Sequence, residues 1–181
     1  YMCIMAILDV AFMAYISVVS HIYITFFGLD EIGYGFYFGV GMAVMLIGPL
    51  LWPLASKFMG KRSFTWLLIG GCILSGCLLL VLGGKGPGFF CASFSVFILM
   101  ESSSRPFSTG VLLAQQDEDV GAAASLTNCS RTIFGTIGMA LAVLPWKNYI
   151  FGLGVIAVGS MILSLFLWLV LLKSSKLKGM S

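Results

Sequence analysis

The chain consists largely of long apolar runs that contain almost no charge, and these runs limit its possible folds more than any other feature. One of them reads SMILSLFLWLVLL, residues 160–172. In a lipid bilayer, every backbone amide and carbonyl must find its hydrogen-bond partner inside the protein, which leaves helices and closed barrels. The two-residue alternation of a membrane barrel strand is absent from these runs. The pattern therefore predicts helices that span a membrane.

Polar residues divide the chain into six runs of this kind. A bilayer core of roughly 30 Å takes about 20 helical residues, and each run is close to that length or longer. The six predicted spans, named first to sixth in chain order, are residues 1–27, 34–54, 64–82, 89–113, 122–144 and 149–172. Only 9% of the 181 residues are charged, whereas about a quarter are charged in soluble domains. We expect an all-α integral membrane protein with short loops and no soluble domain.

Lysine and arginine are distributed unevenly between the two sets of loops. The larger set is Lys57, Lys61, Arg62, Lys173, Lys176 and Lys178, and the smaller set is Lys85 and Lys147. Because basic residues accumulate in cytoplasmic loops, we expect a multi-pass protein of the cell's inner (plasma) membrane with its carboxy-terminus in the cytoplasm. The acidic run at residues 115–119 then lies on the cytoplasmic side, just before the fifth span. Since Tyr1 already lies inside an apolar run, we also expect that an upstream part of the protein precedes this sequence.

The fourth predicted span carries a full charge pair where apolar residues would be expected. Glu101 and Arg105 are four residues apart and therefore share a helix face. Ser104 and Ser108 lie within about 60° of the glutamate on the same face, and Pro106 favours a bend. Ionised groups cost at least about 2.5 kcal/mol each near the bilayer centre and normally face another charge or a cavity. The pair therefore either pins helices together or lines a pathway, in which case Glu101 would take up and release a proton.

The first and fifth spans also carry intramembrane charges. Asp9 shares one helix stripe with Ser20 and Tyr23, and Arg131 shares a face with Asn128. We expect these charges to meet one another or one cavity, and a purely structural pairing fits the pattern equally well. The predicted substrate and proton pathway comprises Asp9, Ser20, Tyr23, Glu101, Arg105, Asn128 and Arg131.

The remaining reactive residues favour no other class of function. His21 is the single histidine, and we interpret it as a satisfied polar residue near the membrane interface. The five cysteines lie inside the spans without metal-ligand spacing, so we expect neither a metal site nor a disulfide framework. The chain lacks a nucleophile near a histidine and a glycine-rich phosphate loop, which argues against an enzyme or a bound cofactor. It also lacks the basic patch of a nucleic-acid-binding protein. Transport of a solute is the function that these residues allow best.

Two similar segments lie in the second and fifth spans. FGVGMAVMLIGPL begins at Phe38 and FGTIGMALAVLPW begins at Phe134, and both contain Gly-Met-Ala and end near a proline. A three-plus-three inverted repeat, as in many secondary transporters, would make these two segments equivalent. With 22 glycines and 10 methionines in the chain, coincidence explains the similarity equally well.

Three motifs, at residues 14–39, 121–131 and 54–62, resemble the bicyclomycin-resistance type of multidrug efflux transporter, in the major facilitator superfamily. The segment AYISVVSHIYITFFGLDEIGYGFYFG, residues 14–39, is similar to the seventh helix and following turn of that group. GAAASLTNCSR, residues 121–131, resembles the start of the eleventh helix with one extra alanine. LASKFMGKR, residues 54–62, is similar to the basic cytoplasmic loop between the second and third helices of each half, although Ser56 replaces an acidic residue and Met59 is extra.

The resemblance covers the whole chain and implies helices seven to twelve of a twelve-helix transporter. The amino-terminal six-helix half would then be the partner of this chain, and the lipid bilayer would surround both. It also implies rocker-switch exchange of protons, as the coupling ion, for small amphipathic drugs. The first, second, fourth and fifth helices would line the cavity, with the third and sixth outside. The loop residues that match the family's gating loop are Lys57, Gly60, Lys61 and Arg62.

Two alternatives remain open on the sequence. One is an uptake permease for a metabolite with the same fold. The other is a six-helix membrane scaffold or assembly subunit, whose charges only hold helices together.

Overall fold

The computed structural model describes residues 2–113 and 120–173, and within these residues the chain is helical and contains no β-strand. We name the helices first to sixth. They span Met2–Phe26, Glu31–Ala55, Lys61–Lys85, Pro87–Leu113, Val120–Ala142 and Tyr149–Lys173. The first helix ends in a π-helical turn at Ile22–Phe26, the second contains a 3-10 turn at Gly48–Leu50, and the third ends in one at Gly83–Lys85.

The helices lie close to the predicted spans, with small differences at their starts. The second helix begins at Glu31 and not at residue 34, because the Asp30 carboxylate accepts a 2.8 Å hydrogen bond from the Gly33 amide and caps the helix. The third begins at Lys61 and not at residue 64. Both helices therefore start inside the polar turns, where the sequence pattern placed loops.

Four of the described helices are long and apolar enough to cross a membrane, namely the first, second, third and sixth. The fourth and fifth helices have sufficient length, at 27 and 23 residues. They are less apolar because they carry several serines and threonines together with Glu101, Arg105 and Arg131. The chain is thus a helical membrane protein in which two helices are distinctly more polar than the rest.

The six helices pack in a pattern that relates the first three to the last three. The first helix packs mainly on the fifth and sixth, the fourth packs mainly on the second and third, and the third packs on the sixth. Exchanging the two sets of three helices leaves these pairs unchanged. The first three helices and the last three therefore take part in equivalent contacts.

The two Gly-Met-Ala segments occupy corresponding places in this arrangement. A Cβ atom on Gly41 of the second helix would lie 3.3 Å from Ile98 of the fourth helix. A Cβ atom on Gly138 of the fifth helix would collide with the Val10 carbonyl of the first helix. The glycine of each segment therefore marks a close helix approach, as small residues do in membrane bundles.

Two hydrophobic clusters form the core of the bundle. The larger one is rich in aromatic side chains and includes Tyr15, Tyr23, Phe90, Phe94 and Phe97. The smaller one includes Met5, Phe64, Phe107 and Trp168. On the fourth helix, the polar segment at residues 101–105 lies between Ile98, which belongs to the larger cluster, and Phe107, which belongs to the smaller one. A polar layer is thereby enclosed between two apolar ones inside the membrane-spanning part of the bundle.

A charged cluster beside a cavity as the candidate functional site

Four charged side chains from three helices meet in the polar layer. Asp9 comes from the first helix, Glu101 and Arg105 from the fourth, and Arg131 from the fifth. The Asp9 carboxylate joins the two arginines: Oδ1 lies 3.0 Å from Arg105 Nη2, and Oδ2 lies 2.9 Å from Arg131 Nη1. The Asp9 side chain is only 2% exposed. A single carboxylate therefore uses both oxygens to hold two guanidinium groups from different helices.

Arg105 bonds to two carboxylates at once. In addition to the bond with Asp9, its Nε donates to Glu101 Oε1 at 2.9 Å, and its Nη2 lies 2.8 Å from the same oxygen. The Phe12 ring packs against the guanidinium, with 5.9 Å from Cζ to the ring centroid. The Arg105 side chain is nevertheless 39% exposed, because its remaining edge borders a cavity. Arg105 is thus the charged group of the cluster with the greatest access to the surroundings.

Arg131 completes the cluster from the fifth helix. Its Nη2 donates to Ser108 Oγ at 3.0 Å, and Nη1 lies 3.7 Å from Glu101 Oε1. The Ser108 hydroxyl in turn donates to the Arg105 carbonyl at 3.2 Å. With two carboxylates and two guanidinium groups, the four formal charges cancel. This balance is what makes such groups tolerable inside a membrane-spanning bundle.

Glu101 lies behind the arginines and has no exposed surface. Its second oxygen, Oε2, is buried without a hydrogen-bond partner among the described residues, as is the hydroxyl of Ser104 one turn later. Glu101 therefore acts on the cavity through Arg105, whose guanidinium it holds in place. The sequence left two interpretations of the Glu101–Arg105 pair open, and of these two residues the structure places Arg105 in the cavity wall.

The serines of the fourth helix explain how its polar segment can be so tightly enclosed. A Cβ atom on Gly48 of the second helix would collide with the side chain of Ser102. The neighbouring Ser103 hydroxyl donates to the Gly48 carbonyl at 2.8 Å. Small side chains on both helices let the backbones approach. The second helix therefore closes over the side of the fourth helix that does not face the cavity.

A cavity of about 260 Å³ opens between the first, fourth and fifth helices. Its wall combines charged, polar and apolar side chains. The lining residues are Asp9, Met13, Arg105, Asn128, Arg131, Thr132, Gly135, Thr136 and Met139. Asn128, Thr132, Thr136 and Met139 are exposed, so the cavity is open on the side of the fifth helix. The charged cluster forms its inner wall.

The structure brings five of the seven predicted pathway residues together. Asp9, Arg105, Asn128 and Arg131 line the cavity, and Glu101 supports them from behind.

The other two pathway residues lie elsewhere. Ser20 is eleven positions beyond Asp9, roughly 16 Å along a helix, and it is exposed. Tyr23 is fully buried, with its ring 5.4 Å from that of Tyr37 and 5.2 Å from that of Phe90. The shared helix stripe was therefore a poor guide at this end of the first helix, where the chain changes to a π-helical turn.

The predicted gating-loop residues lie at the junction of the second and third helices. Lys57 is in the exposed turn, Gly60 caps the third helix with extended backbone angles, and Lys61 is the first helical residue. Arg62 follows on the exposed surface. The acidic run at residues 115–119 and the tail lysines Lys176 and Lys178 lie outside the described residues. The loop is thus a helix start in part, and its four residues are not among those that line the cavity.

Five cavity residues were not among the predicted pathway residues, namely Met13 on the first helix and Thr132, Gly135, Thr136 and Met139 on the fifth. Thr132, Thr136 and Met139 extend the wall that Asn128 and Arg131 begin. The spacing of Asn128, Thr132 and Thr136 is four residues, which places polar side chains on one face of the fifth helix. That spacing was the available signal. The hydroxyls of both threonines donate to the carbonyl four residues earlier, at 2.9 Å each.

Compared with known proteins, the chain matches no family model, and no curated protein or solved structure is significantly similar to it. Arguments about function therefore depend on the charged cluster, the cavity and the sequence motifs described above.

Proposed function

We propose that this chain forms the carboxy-terminal six-helix half of a proton-coupled secondary transporter of the major facilitator type. The observation that carries the proposal is the Asp9 carboxylate, which sits in the wall of an open cavity while bridging Arg105 and Arg131. Ionisable groups within membrane-spanning segments are rare, face the bundle interior or a water-filled cavity, and mark substrate and ion pathways. An ion cluster that served only to join helices would not need a solvent-accessible guanidinium.

The helix packing supports the proposed fold. The first helix packs on the fifth and sixth as the fourth packs on the second and third. Transporters built from inverted repeats place their binding site where the two repeats meet, near the bilayer midplane. The charged cluster draws on the first helix of one set and on the fourth and fifth helices of the other, which is the position that this architecture favours.

Asp9 is the proposed proton carrier. Protonation of its carboxylate would remove one negative charge from the cluster and weaken its bonds to both arginines. The helices that supply Asp9 and Arg131 would then be held less tightly to each other. Alternating access needs a link of this kind between proton binding and helix contacts, because a ligand shifts a conformational equilibrium only by binding two states unequally.

The direction of transport separates two candidates. The three sequence motifs favour efflux of small amphipathic drugs through the inner membrane, with the carboxy-terminus in the cytoplasm. An uptake permease of the same fold is the second candidate, and the two arginines in the cavity wall favour it, because they suit an anionic metabolite better than a cationic drug. Neither candidate is an enzyme or requires a cofactor other than the proton.

Transport by the complete gene product in liposomes tests the proposal. Two membrane-impermeant probes of opposite charge, ethidium and benzenesulfonate, are followed with and without a proton gradient. We expect gradient-driven movement of one probe, and loss of that dependence in Asp9→Asn while exchange without a gradient persists. Glu31→Gln, a neutralised acid on the exposed start of the second helix, serves as the matched control. Absence of any gradient-driven movement in the folded wild-type protein favours the membrane scaffold.

A further inference from the structure

We propose that the cavity binds a small organic anion together with one proton, and that the anion takes the place of the Asp9 carboxylate between Arg105 and Arg131. This inference rests on the proposed function and names its substrate class. The geometry already contains a stand-in for the ligand. The Asp9 carboxylate bridges two guanidinium groups at 3.0 and 2.9 Å, which is how a carboxylate or sulfonate of a substrate would bind them.

The hydrogen-bonding groups of the cavity wall favour a negatively charged ligand. Among the described residues, Arg105 uses Nε and Nη2 for its bonds to carboxylates, which leaves Nη1 on the exposed part of the side chain. Asn128 adds an amide with two N–H donors. The one acidic residue in the wall, Asp9, has both oxygens engaged by arginines. A cation in this cavity would meet two guanidinium groups and no free carboxylate.

Charge balance explains why the proton must accompany the anion. With all four groups ionised, two positive and two negative charges cancel. Protonation of Asp9 leaves a net charge of one positive unit in a largely buried site. Uncompensated charge in such a site is costly, and an anion bound between the two arginines restores neutrality. In contrast, ionised Asp9 and an incoming anion would compete for the same two guanidinium groups.

Asp9 is the group through which pH acts in this scheme, and few titratable groups face it. The fourth helix presents Glu101 and Arg105, and the fifth presents Arg131. The sixth helix, which also packs on the first, has titratable residues only near its ends, Tyr149 and Lys173. On the first helix itself, the nearest titratable neighbours in sequence are Cys3 and Tyr15, more than one turn away.

The size and apolar part of the cavity limit the anion to a small one. A volume of about 260 Å³ accommodates one ring or a short chain in addition to its charged group. Met13 of the first helix and Met139 of the fifth supply adaptable apolar contacts in the cavity wall. The fitting ligand is therefore a compact acid with an apolar body. Because anion and proton bind together, they would also cross the membrane together, which favours uptake over drug efflux.

Three probes of equal size and different charge test the inference. Benzenesulfonate carries a permanent negative charge, benzenesulfonamide is neutral, and benzamidine is a cation at the pH values used. Binding to the purified complete gene product is measured by titration calorimetry over a range of pH and in two buffers of different ionisation enthalpy. The difference in binding enthalpy between the two buffers gives the number of protons taken up on binding.

We expect benzenesulfonate to bind with uptake of about one proton. Its affinity should then fall about tenfold for each unit by which the pH rises, through the range in which Asp9 of the free protein is ionised. Asp9→Asn, which resembles the protonated acid, should bind the probe independently of pH and without proton uptake. Arg131→Gln should weaken binding at least about tenfold. Lys85→Gln, at an exposed position on the third helix, should leave binding unchanged.

Three results would overturn the inference. They are benzamidine binding with release of a proton, benzenesulfonate binding without any proton uptake, and no benzenesulfonate binding by a folded wild-type protein. The proposed function fails separately. Gradient-driven transport of ethidium but not of benzenesulfonate would support a transporter and contradict the anion site. Proton-linked binding of benzenesulfonate without transport would support the anion site and contradict the transporter.

Discussion

At the scale of single residues, the members of the charged cluster differ in how many oppositely charged partners each one has. Arg105 contacts both Asp9 and Glu101 at 3.0 Å or less, whereas among the described residues Glu101 has one other cation in reach, Arg131 at 3.7 Å. Glu101 is also the most deeply buried member of the cluster. Loss of Arg105 would therefore leave a buried carboxylate with a single, longer ion pair.

Arg105→Ala is expected to destabilise the bundle by about 3 kcal/mol or more, because breaking a buried pair by removing one partner leaves an uncompensated charge. Combining it with Glu101→Gln should restore part of that loss, since the double variant keeps only the Asp9–Arg131 pair. The free energy of unfolding in detergent micelles measures both effects. Lys147→Ala, at an exposed basic residue, is the control. A double variant less stable than Arg105→Ala alone would contradict this account of Glu101.

Residue chemistry and spacing predicted part of the site. Glu101 and Arg105 could be paired from the sequence because four residues make one helical turn, and their contact is present at 2.8 Å. The pairing of Asp9 with Arg131 could only be guessed, because these residues are 122 positions apart and their contact depends on how whole helices pack. The burial of Glu101 likewise depends on how other helices pack around the fourth, which no local pattern specifies.

At the scale of helices, close glycine contacts set the geometry that brings the charges together. Gly138 lies against the Val10 carbonyl, one residue beyond Asp9 in the sequence. The fifth helix carries Arg131 about two turns earlier. The distance between the first and fifth helices at Gly138 therefore controls the Asp9–Arg131 bond.

Gly138→Ala should separate these helices and lower the free energy of unfolding by about 1–3 kcal/mol, the usual cost of overpacking. Gly70→Ala on the third helix should be neutral or slightly stabilising, because no atom lies within 4 Å of the Cβ position there and alanine favours helices. Thermal unfolding in the same detergent compares the two variants. Equal stability of both would mean that the first and fifth helices can adjust at Gly138 without cost.

We expect the turn between the second and third helices to affect topology or gating and not the choice of ligand. Neutralising Lys61 and Arg62 together is expected to disturb membrane topology or gating without changing the relative affinity for probes of different charge, because loop charges orient helices and these residues do not line the cavity. Reporter fusions at the carboxy-terminus measure topology. Neutralising Lys85 and Lys147, on the opposite side, should leave topology intact. Normal topology and normal rate with altered probe preference would contradict this prediction.

At the scale of the whole molecule, the fold was more predictable than the surface that it leaves uncovered. The expectation of helices follows from the demand that backbone groups be bonded in lipid. The six described helices lie within a few residues of the predicted runs, and four of them are long and apolar enough to cross a membrane. The degree to which each helix is covered does not follow from apolar length. The first helix is 72% buried along its most apolar stretch, whereas the second is 11% buried, although the sequence of both is similarly apolar.

The exposed faces of the second and fifth helices yield the last prediction. If the chain pairs with a second six-helix half, those faces lie against it, whereas the outer faces of the third and sixth helices contact lipid. We expect cysteines at Leu46 and Ile133 to be protected from a hydrophobic thiol reagent in the complete protein, and cysteines at Leu74 and Phe166 to react. All four side chains are at least 55% exposed in this chain alone, so their intrinsic accessibility is matched. The five native cysteines are first replaced by serine. Equal reaction at all four positions would mean that lipid surrounds the bundle on every side, and the scaffold alternative would then explain the charged cluster better than the transporter does.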